Sequence, residues 1–293
     1  MKRILSLLLI LLAMGSAFAQ PGHKSKTSKV SLMSFNIRMS AMADYDGINA
    51  WGNRKKAVVR MIKDVNPDVM GVQEMLPDQQ QYLRKALKAY EMVGVGREDG
   101  KAEGECMGVF YKKNRFERKE YKTYWLSPTP DEPTFGWDAA CKRTVTFVHL
   151  VDKRSCKDFY YFNTHLDHMG QVARRQSIQL LSKLIKKEVS DTTAVVILGG
   201  DMNSSIYDPI FSPILAPKGD GQSSAKMYSV RDYAPESCNE TTYNGYGKET
   251  AKQIDYILTN KLDAARSFKT IKKDYGVPYV SDHYPVILIF SLE

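Results

Sequence analysis

The 293-residue chain is short of cysteine and, past its first twenty residues, of long apolar runs; both shortages narrow what it can be. Its four cysteines, Cys106, Cys141, Cys156 and Cys238, form no C-x-x-C pair, so zinc-finger and thioredoxin-like chemistry has no support. A chain this long buries a sufficient core without disulfide staples. Beyond residue 20 no stretch is long and apolar enough to span a bilayer, so no membrane insertion is expected.

The one long apolar run lies at the start. Lys2 and Arg3 precede Ile4 to Met14, and Ala17-Phe18-Ala19 is an A-x-A cleavage site before Gln20. Residues 1–19 therefore read as a secretory signal peptide, too short to serve as an anchor. No cysteine stands at the cleavage site to take a lipid. The expectation is an exported, soluble monomer, periplasmic or extracellular. Residues 20–28 are polar and read as a disordered linker, leaving 29–293 as a single domain. The formal charge is +9, and loss of Lys2 and Arg3 leaves +7. That excess is mild support for a phosphate-bearing substrate, but no continuous basic stripe marks a nucleic-acid surface.

What is present is a set of apolar strands that end on polar residues. Ala194 to Leu198 is an unbroken apolar run, the pattern of a strand buried on both faces, and it delivers Gly199-Gly200-Asp201-Met202-Asn203. Alternation puts Asp201 and Asn203 on one side, and glycines there admit close approach of backbone or ligand. Val30 to Arg38 reads as a strand ending on Asn36 and Arg38. Asp68 to Glu74 is another, ending on an acid. Between them Trp51 to Val65 is helical by period and is stopped by Asn66-Pro67. Further helices are expected over Pro77–Tyr90 and Gln171–Val189. Further strands are expected over 91–96, 105–112, 116–124, 142–151, 157–165, 253–258 and 285–292. Residues 206–250 read as mostly irregular.

The order strand, helix, apolar strand, acid occurs twice, once ending at Glu74 and once at Asp201. Two such halves packed face to face predict an α/β four-layer sandwich: two mixed β-sheets flanked by helices, with the strand ends meeting at one rim. That rim would gather Asn36, Glu74, His165, Asp201, Asn203, Asp255, Asp282 and His283 from six segments. Oxygen ligands without thiols suit Mg²⁺ or Mn²⁺, with Glu74 and Asn36 as the first candidates. A histidine beside an acid, His283 with Asp282 or Asp255, can take a proton from an attacking water. His165 and Asn203 can donate to phosphoryl oxygens as charge builds.

The motifs Ser34-Phe35-Asn36-Ile37-Arg38, Gly71-Val72-Gln73-Glu74, Phe162-Asn163-Thr164-His165, Gly200-Asp201-Met202-Asn203, Ile254-Asp255-Tyr256-Ile257 and Ser281-Asp282-His283-Tyr284-Pro285 span nearly the whole chain. In this order they closely resemble the endonuclease/exonuclease/phosphatase superfamily, whose fold is that of deoxyribonuclease I. The resemblance implies a Mg²⁺- or Mn²⁺-dependent phosphoester hydrolase with Glu74 and Asn36 as metal ligands. Asp201, Asn203 and Asp282 would orient water, phosphate or a second metal. Asp255 would support the general base His283, and His165 would contact phosphate. Tyr111 stands where many members place a phosphate-binding tyrosine, and it serves equally well as strand packing.

Gly96-Arg97-Glu98-Asp99-Gly100-Lys101, Trp125-Leu126-Ser127, Gly136-Trp137-Asp138 and Thr164-His165-Leu166-Asp167-His168 resemble an exported bacterial branch related to deadenylase-like 3′-5′ exonucleases. Trp51, Trp125 and Trp137 either line the cleft and stack a base or sugar, or pack the core. Arg38 and Arg97 are candidates for substrate contact. Arg174 and Arg175 either grip phosphate or form surface ion pairs. Three functions compete: a phosphodiesterase for nucleic acid or oligonucleotides, a hydrolase of small phosphorylated metabolites such as sugar or inositol phosphates, and a binding module without catalysis. The last would be expected to have lost the acids or His283, and all are present.

Overall fold

The computed structural model describes residues 27–189, 191, 193–217, 226–238 and 240–293. The expected signal peptide and most of the expected linker lie outside these residues. The linker's last residue, Ser28, is already strand: it pairs with Leu292, and its hydroxyl donates to Asp152 Oδ2.

Thirteen strands are formed among the described residues: β1 Ser28–Asn36, β2 Val69–Met75, β3 Tyr90–Val93, β4 Cys106–Lys112, β5 Phe116–Trp125, β6 Thr144–Asp152, β7 Lys157–His165, β8 Val195–Asp201, β9 Tyr228–Ser229, β10 Glu236–Ser237, β11 Asp255–Thr259, β12 Ala265–Thr270 and β13 Val286–Leu292. Three long helices accompany them, α1 Trp51–Val65, α2 Pro77–Ala86 and α3 Gln171–Glu188. One sheet runs β10-β12-β13-β1-β2-β4-β3 and the other β5-β6-β7-β8-β11-β9. The doubled sequence pattern is a doubled structure. β1 and β2 are parallel and joined through α1, while β7 and β8 are parallel and joined through α3.

Alternation explains the layers. In β1, Val30 and Leu32 face the other sheet, while Met33 and Phe35 face the helices. In β8, Val195 and Ile197 turn inward, and Val196 and Leu198 pack under Ile178, Leu181 and Leu184 of α3. Both sheets are therefore apolar on two faces, and each fully buried Leu, Val or Phe contributes roughly 1.5–3 kcal/mol. α1 ends where Asn66 takes a left-handed conformation (φ 50°), followed by Pro67, which cannot continue a helix.

The apolar centre gives way to a polar seam near the rim. Gln73 Nε2 donates to Asn163 Oδ1 (2.6 Å), and Asn163 Nδ2 donates to the carbonyls of Val72 (3.1 Å) and Gly108 (2.9 Å) across the sandwich. Gly71 leaves room for it, since a Cβ there would sit 2.1 Å from the Tyr161 hydroxyl. These buried hydrogen bonds set the register of one sheet on the other.

At the opposite rim a buried guanidinium ties the halves together. Arg115 pairs with Asp68, donates to Asp152 Oδ2 (3.1 Å) and the Lys29 carbonyl (2.7 Å), and reaches the Ser28 hydroxyl (3.0 Å).

Two elements differ from expectation. α2 stops at Ala86, and Tyr90 opens β3 because its hydroxyl bonds the Pro67 carbonyl. β12 is not among the expected strands: its only large apolar residue is Phe268, and a bulge between Ala265 and Ser267 breaks the alternation.

Candidate active site

The carboxyl ends of β1, β2, β7 and β8 share one rim. Antiparallel pairing adds the start of β11, and the loop before β13 brings Asp282 and His283. Register sets the spacing: His165 pairs with Asp201, and Asp201 with Asp255, so three polar residues stand side by side across one sheet. Gly200 makes this possible. It has φ +147°, and a Cβ there would lie 1.8 Å from the Thr164 carbonyl oxygen.

Three residues at this rim hold a left-handed backbone without being glycine: Arg38 (φ 59°), Glu74 (φ 59°) and Asn203 (φ 47°). Such conformations cost on the order of 1–3 kcal/mol each and cluster at functional sites. At Glu74 the cause is a bulge, for the β2–β4 register shifts between Val72 and Met75. Gln73 then points between the sheets, and Glu74 is re-aimed at the rim. The Met39 amide (3.1 Å) holds its carboxylate there.

Asn36 joins the two sheets. Its Nδ2 donates to Glu74 Oε1 (3.0 Å) and Asp201 Oδ2 (3.1 Å), and its Oδ1 accepts from the Arg38 amide (3.0 Å). That amide decides the orientation, because a flipped side chain would set N–H against N–H. Asn36 thus offers the acids a donor and not the oxygen expected of a metal ligand.

Asn203 is oriented in the same way: Nδ2 donates to the Leu166 carbonyl (2.9 Å) and faces His165 Nε2 (2.9 Å). His165 is the acceptor in that contact, so it holds Asn203 and does not itself donate into the cleft as expected. Burial, then Arg143, holds its pKa well below the ordinary histidine value. His283 Nδ1 lies 2.9 Å from Asp255 Oδ2, and its Nε2 lies 3.6 Å from Asp201 Oδ2. Asp282 is reached by Arg38 at 3.7 Å.

The acids are crowded and dry. Burial pushes Asp201 up to about 7, a shift that His283 opposes and Asp255 reinforces. Burial, then Glu74 among its neighbours, raises Asp282. Glu74 goes the other way: burial raises it, but the Asn36 amide, His283 and Arg38 together hold it below the ordinary value. Burial alone would lower His283, yet Asp255 and Asp201 push it up to about 10. The rise at Asp201 and Asp282 marks a place where added positive charge would be favourable. The donor atoms of Asp201, Asp255 and His283 lie within 4.8 Å of one another, and the set is oxygen-rich and thiol-free. With the carboxylates of Glu74 and Asp282 at the same rim, the acids fit a hard divalent cation and leave His283 with Asp255.

The rim opens into a cleft of about 460 Å³. Arg38 and Arg97 line it as expected. Arg38 is bound to Asp46 (3.0 Å), and Arg97 to Glu105 (2.8 Å). Arg143, His168, Tyr243 and Lys252 also line it, and sequence reasoning did not single them out. The signal was present for His168, which lies within a motif quoted for the bacterial branch. Asp167 locks this bank: it accepts from the amides of Ala140, Met169 and Gly170 and from Arg143 Nε (3.1 Å), which holds its pKa down at about 2 against the pull of burial. Arg174 donates to the Asp167 carbonyl (2.7 Å), a structural bond.

Two expected contact residues are elsewhere. Tyr111 is 1% exposed in the core between the sheets and pairs with Val69 at the start of β2, roughly 15 Å along the strand from Glu74. Its hydroxyl accepts from Arg118 Nε (3.0 Å). Trp51 is 6% exposed and packs edge-on to Tyr82, because it opens the buried face of α1. Trp125 is also buried and donates to the Arg97 carbonyl. Trp137 is 38% exposed at φ 49°, on the segment that continues to Ala140 and Cys141 in the cleft wall. Replacing Trp137 with alanine is expected to raise KM about three- to tenfold with kcat little changed, as loss of uniform binding does. Trp51→Ala is expected instead to cost about 3–5 kcal/mol of stability. Steady-state kinetics and melting curves on both variants check this, and an unchanged KM for Trp137→Ala would refute it.

The sequence model described as "Endonuclease/Exonuclease/phosphatase family" matches residues 33–283. The chain belongs to this family. A family member of known structure from Bacteroides vulgatus is 32% identical, with 91% of this chain and all of that one aligned at a TM-score of 0.82. The mannosyl-6-phosphatase of Bacteroides thetaiotaomicron is 27% identical over 90% of this chain and all of that one, at a TM-score of 0.77. Human tyrosyl-DNA phosphodiesterase 2 is 26% identical over 176 residues, which are 60% of this chain and 42% of the human protein. Members of this family are hydrolases that act on phosphoesters. Among the described residues no helix is long and apolar enough to cross a membrane.

Proposed function

We propose that this family member is an exported, Mg²⁺- or Mn²⁺-dependent hydrolase of small phosphorylated sugars. The observation that carries this is the pairing of the cleft's arginines. Arg38 is tied to Asp46, Arg97 to Glu105 and Arg143 to Asp167, in a bounded space of about 460 Å³. A polyanion such as DNA calls for a run of uncommitted cations along an open groove. Paired ions, with His168, Tyr243 and Glu105 between them, instead present donors and acceptors suited to hydroxyl groups. The volume lies within the range of small-ligand pockets. Full-length similarity to a mannosyl-6-phosphatase supports the same class.

Glu74, Asp201 and Asp282 would hold the cation, which when bound supplies charge to stabilise the phosphoryl oxygens. Asn36 keeps Glu74 and Asp201 in register across the two sheets. Asn203, oriented by His165 and the Leu166 carbonyl, is placed to donate to a phosphoryl oxygen. Asp255 fixes His283. With its acids unscreened His283 is a cation, and as their charge is neutralised its pKa falls towards the range where it accepts a proton from water.

The test is a substrate panel of hexose phosphates, inositol phosphates, nucleotides and labelled DNA and RNA oligomers, each with Mg²⁺, with Mn²⁺ and after exhaustive chelation. A sugar phosphate is expected to exceed any oligonucleotide in kcat/KM by at least about tenfold, roughly 1.4 kcal/mol of transition-state binding. Chelation is expected to abolish turnover. Faster hydrolysis of oligonucleotides would establish the nuclease reading instead, and full activity after chelation would remove the cation from the mechanism.

A further inference from the structure

Arg231 is 5% exposed, and none of Nε, Nη1 and Nη2 has a hydrogen-bond partner. It sits in a short helical turn, Val230–Tyr233, with its guanidinium 5.3 Å from the ring centres of both Tyr256 and Phe268. Its backbone is fixed, since the Arg231 carbonyl accepts from the Ser237 hydroxyl (2.6 Å). Ring faces offset part of a cation's charge. They leave the in-plane N–H groups of the fork unanswered.

A second donor on the same segment is in the same position. Ser229 is 4% exposed, and its Oγ has no partner. It occupies the N-cap position of the turn, where a serine hydroxyl ordinarily accepts an amide, yet its side chain makes no capping bond. Ser229 pairs with Leu258 of β11, the strand that also carries Tyr256. Among the described residues the acids in this region are committed elsewhere. Asp232 accepts from the exposed Tyr207 hydroxyl (2.7 Å), Asp255 holds His283, and Glu236 lies on the surface near Lys269.

We propose that Arg231, with Ser229, forms a buried binding site for a small inorganic anion. A buried guanidinium needs both hydrogen-bond acceptors and negative charge, and an anion in the plane of the fork supplies both at once. Water would supply only the first. Neither residue lines the cleft, and the site does not rest on the proposed substrate.

Thermal melting of the whole protein tests this. Chloride and sulfate are titrated separately at constant ionic strength, with gluconate as the balancing anion. For the wild type, Tm is expected to rise with the logarithm of chloride or sulfate concentration once the site begins to fill. Which of the two acts distinguishes a spherical from a tetrahedral ligand. Arg231→Met keeps the stem between the two rings and removes the charge, and it is expected to abolish the response. General salting effects of sulfate would appear in both proteins and cancel. Ser229→Ala, a milder change, is expected to shift the response to roughly tenfold higher anion concentration. A wild-type Tm indifferent to both anions overturns the proposal. So does an equal response in Arg231→Met or, should that variant not fold, in Ser229→Ala.

Discussion

Replacing His283 with alanine is expected to lower kcat by about 10²–10⁴-fold, and no concentration of Mg²⁺ is expected to restore it. The imidazole is buried and held by Asp255 at 2.9 Å. Unlike His165, whose Nε2 is occupied by Asn203, His283 keeps its Nε2 free of a hydrogen bond. Its loss removes a proton acceptor, which metal cannot replace. Glu74→Gln should behave differently. It weakens cation binding while keeping an oxygen in place, so raised Mg²⁺ should recover part of the rate by mass action. The His283→Ala deficit should shrink at high pH, where hydroxide replaces the activated water. Rescue of His283→Ala by metal, with none for Glu74→Gln, would show the roles to be reversed.

The same residue has a signature in the cation-free protein. His283 rises to about 10 in the folded state, so the stability it lends is present below its unfolded value of 6.5 and is lost as pH climbs through about 10. Chelated wild type should therefore lose stability between those values more steeply than chelated His283→Ala.

Arg115→Met is expected to cost about 3–5 kcal/mol of stability while leaving activity per folded molecule unchanged. In a domain of this size the melting temperature should fall on the order of 10 °C. Arg115 is 4% exposed at the rim away from the active site, and it is the shared partner of Asp68 and of the fully buried Asp152. Without it the two carboxylates keep their burial and lose their guanidinium. The pH dependence tests the cause. In the wild type Asp68 and Asp152 are held below the ordinary aspartate value: burial raises them, but hydrogen bonds and the Arg115 charge more than offset it. Their stabilisation is present above about pH 4 and is lost as pH falls through the depressed values. In the variant both acids should titrate higher, so its deficit should narrow on acidification. Denaturant melts at pH 7 and pH 4 measure this. An unchanged midpoint at pH 7 would mean that the cluster does not hold the two halves together.

Much of the fold was legible because its signals are local. Alternation with apolar residues on both faces identifies strands covered on two sides, as β1 and β8 are. The repeated strand-helix-strand-acid order implied two similar halves, and the sheets are built that way. β12 was not legible because Phe268 alone cannot establish a period. Arg143 and Asp167 were missed as a pair because they are 24 residues apart and meet only when β6 and the loop after β7 lie side by side.

The sequence by itself determined which residues stand at the rim: a strand's end is marked where an apolar run stops, as at Asn36, Glu74, His165 and Asp201, and Asp255 opens the apolar run that follows it. It also determined the family, since the motifs are short and ordered along the chain. Only the tertiary structure decided what those residues offer. A bulge turned Glu74 towards the cleft, the Arg38 amide turned the Asn36 nitrogen towards the acids, and Tyr111 and Trp51 went into the core. The physical reason is that a side chain's direction depends on its partners, and these partners lie across strands or in the other sheet.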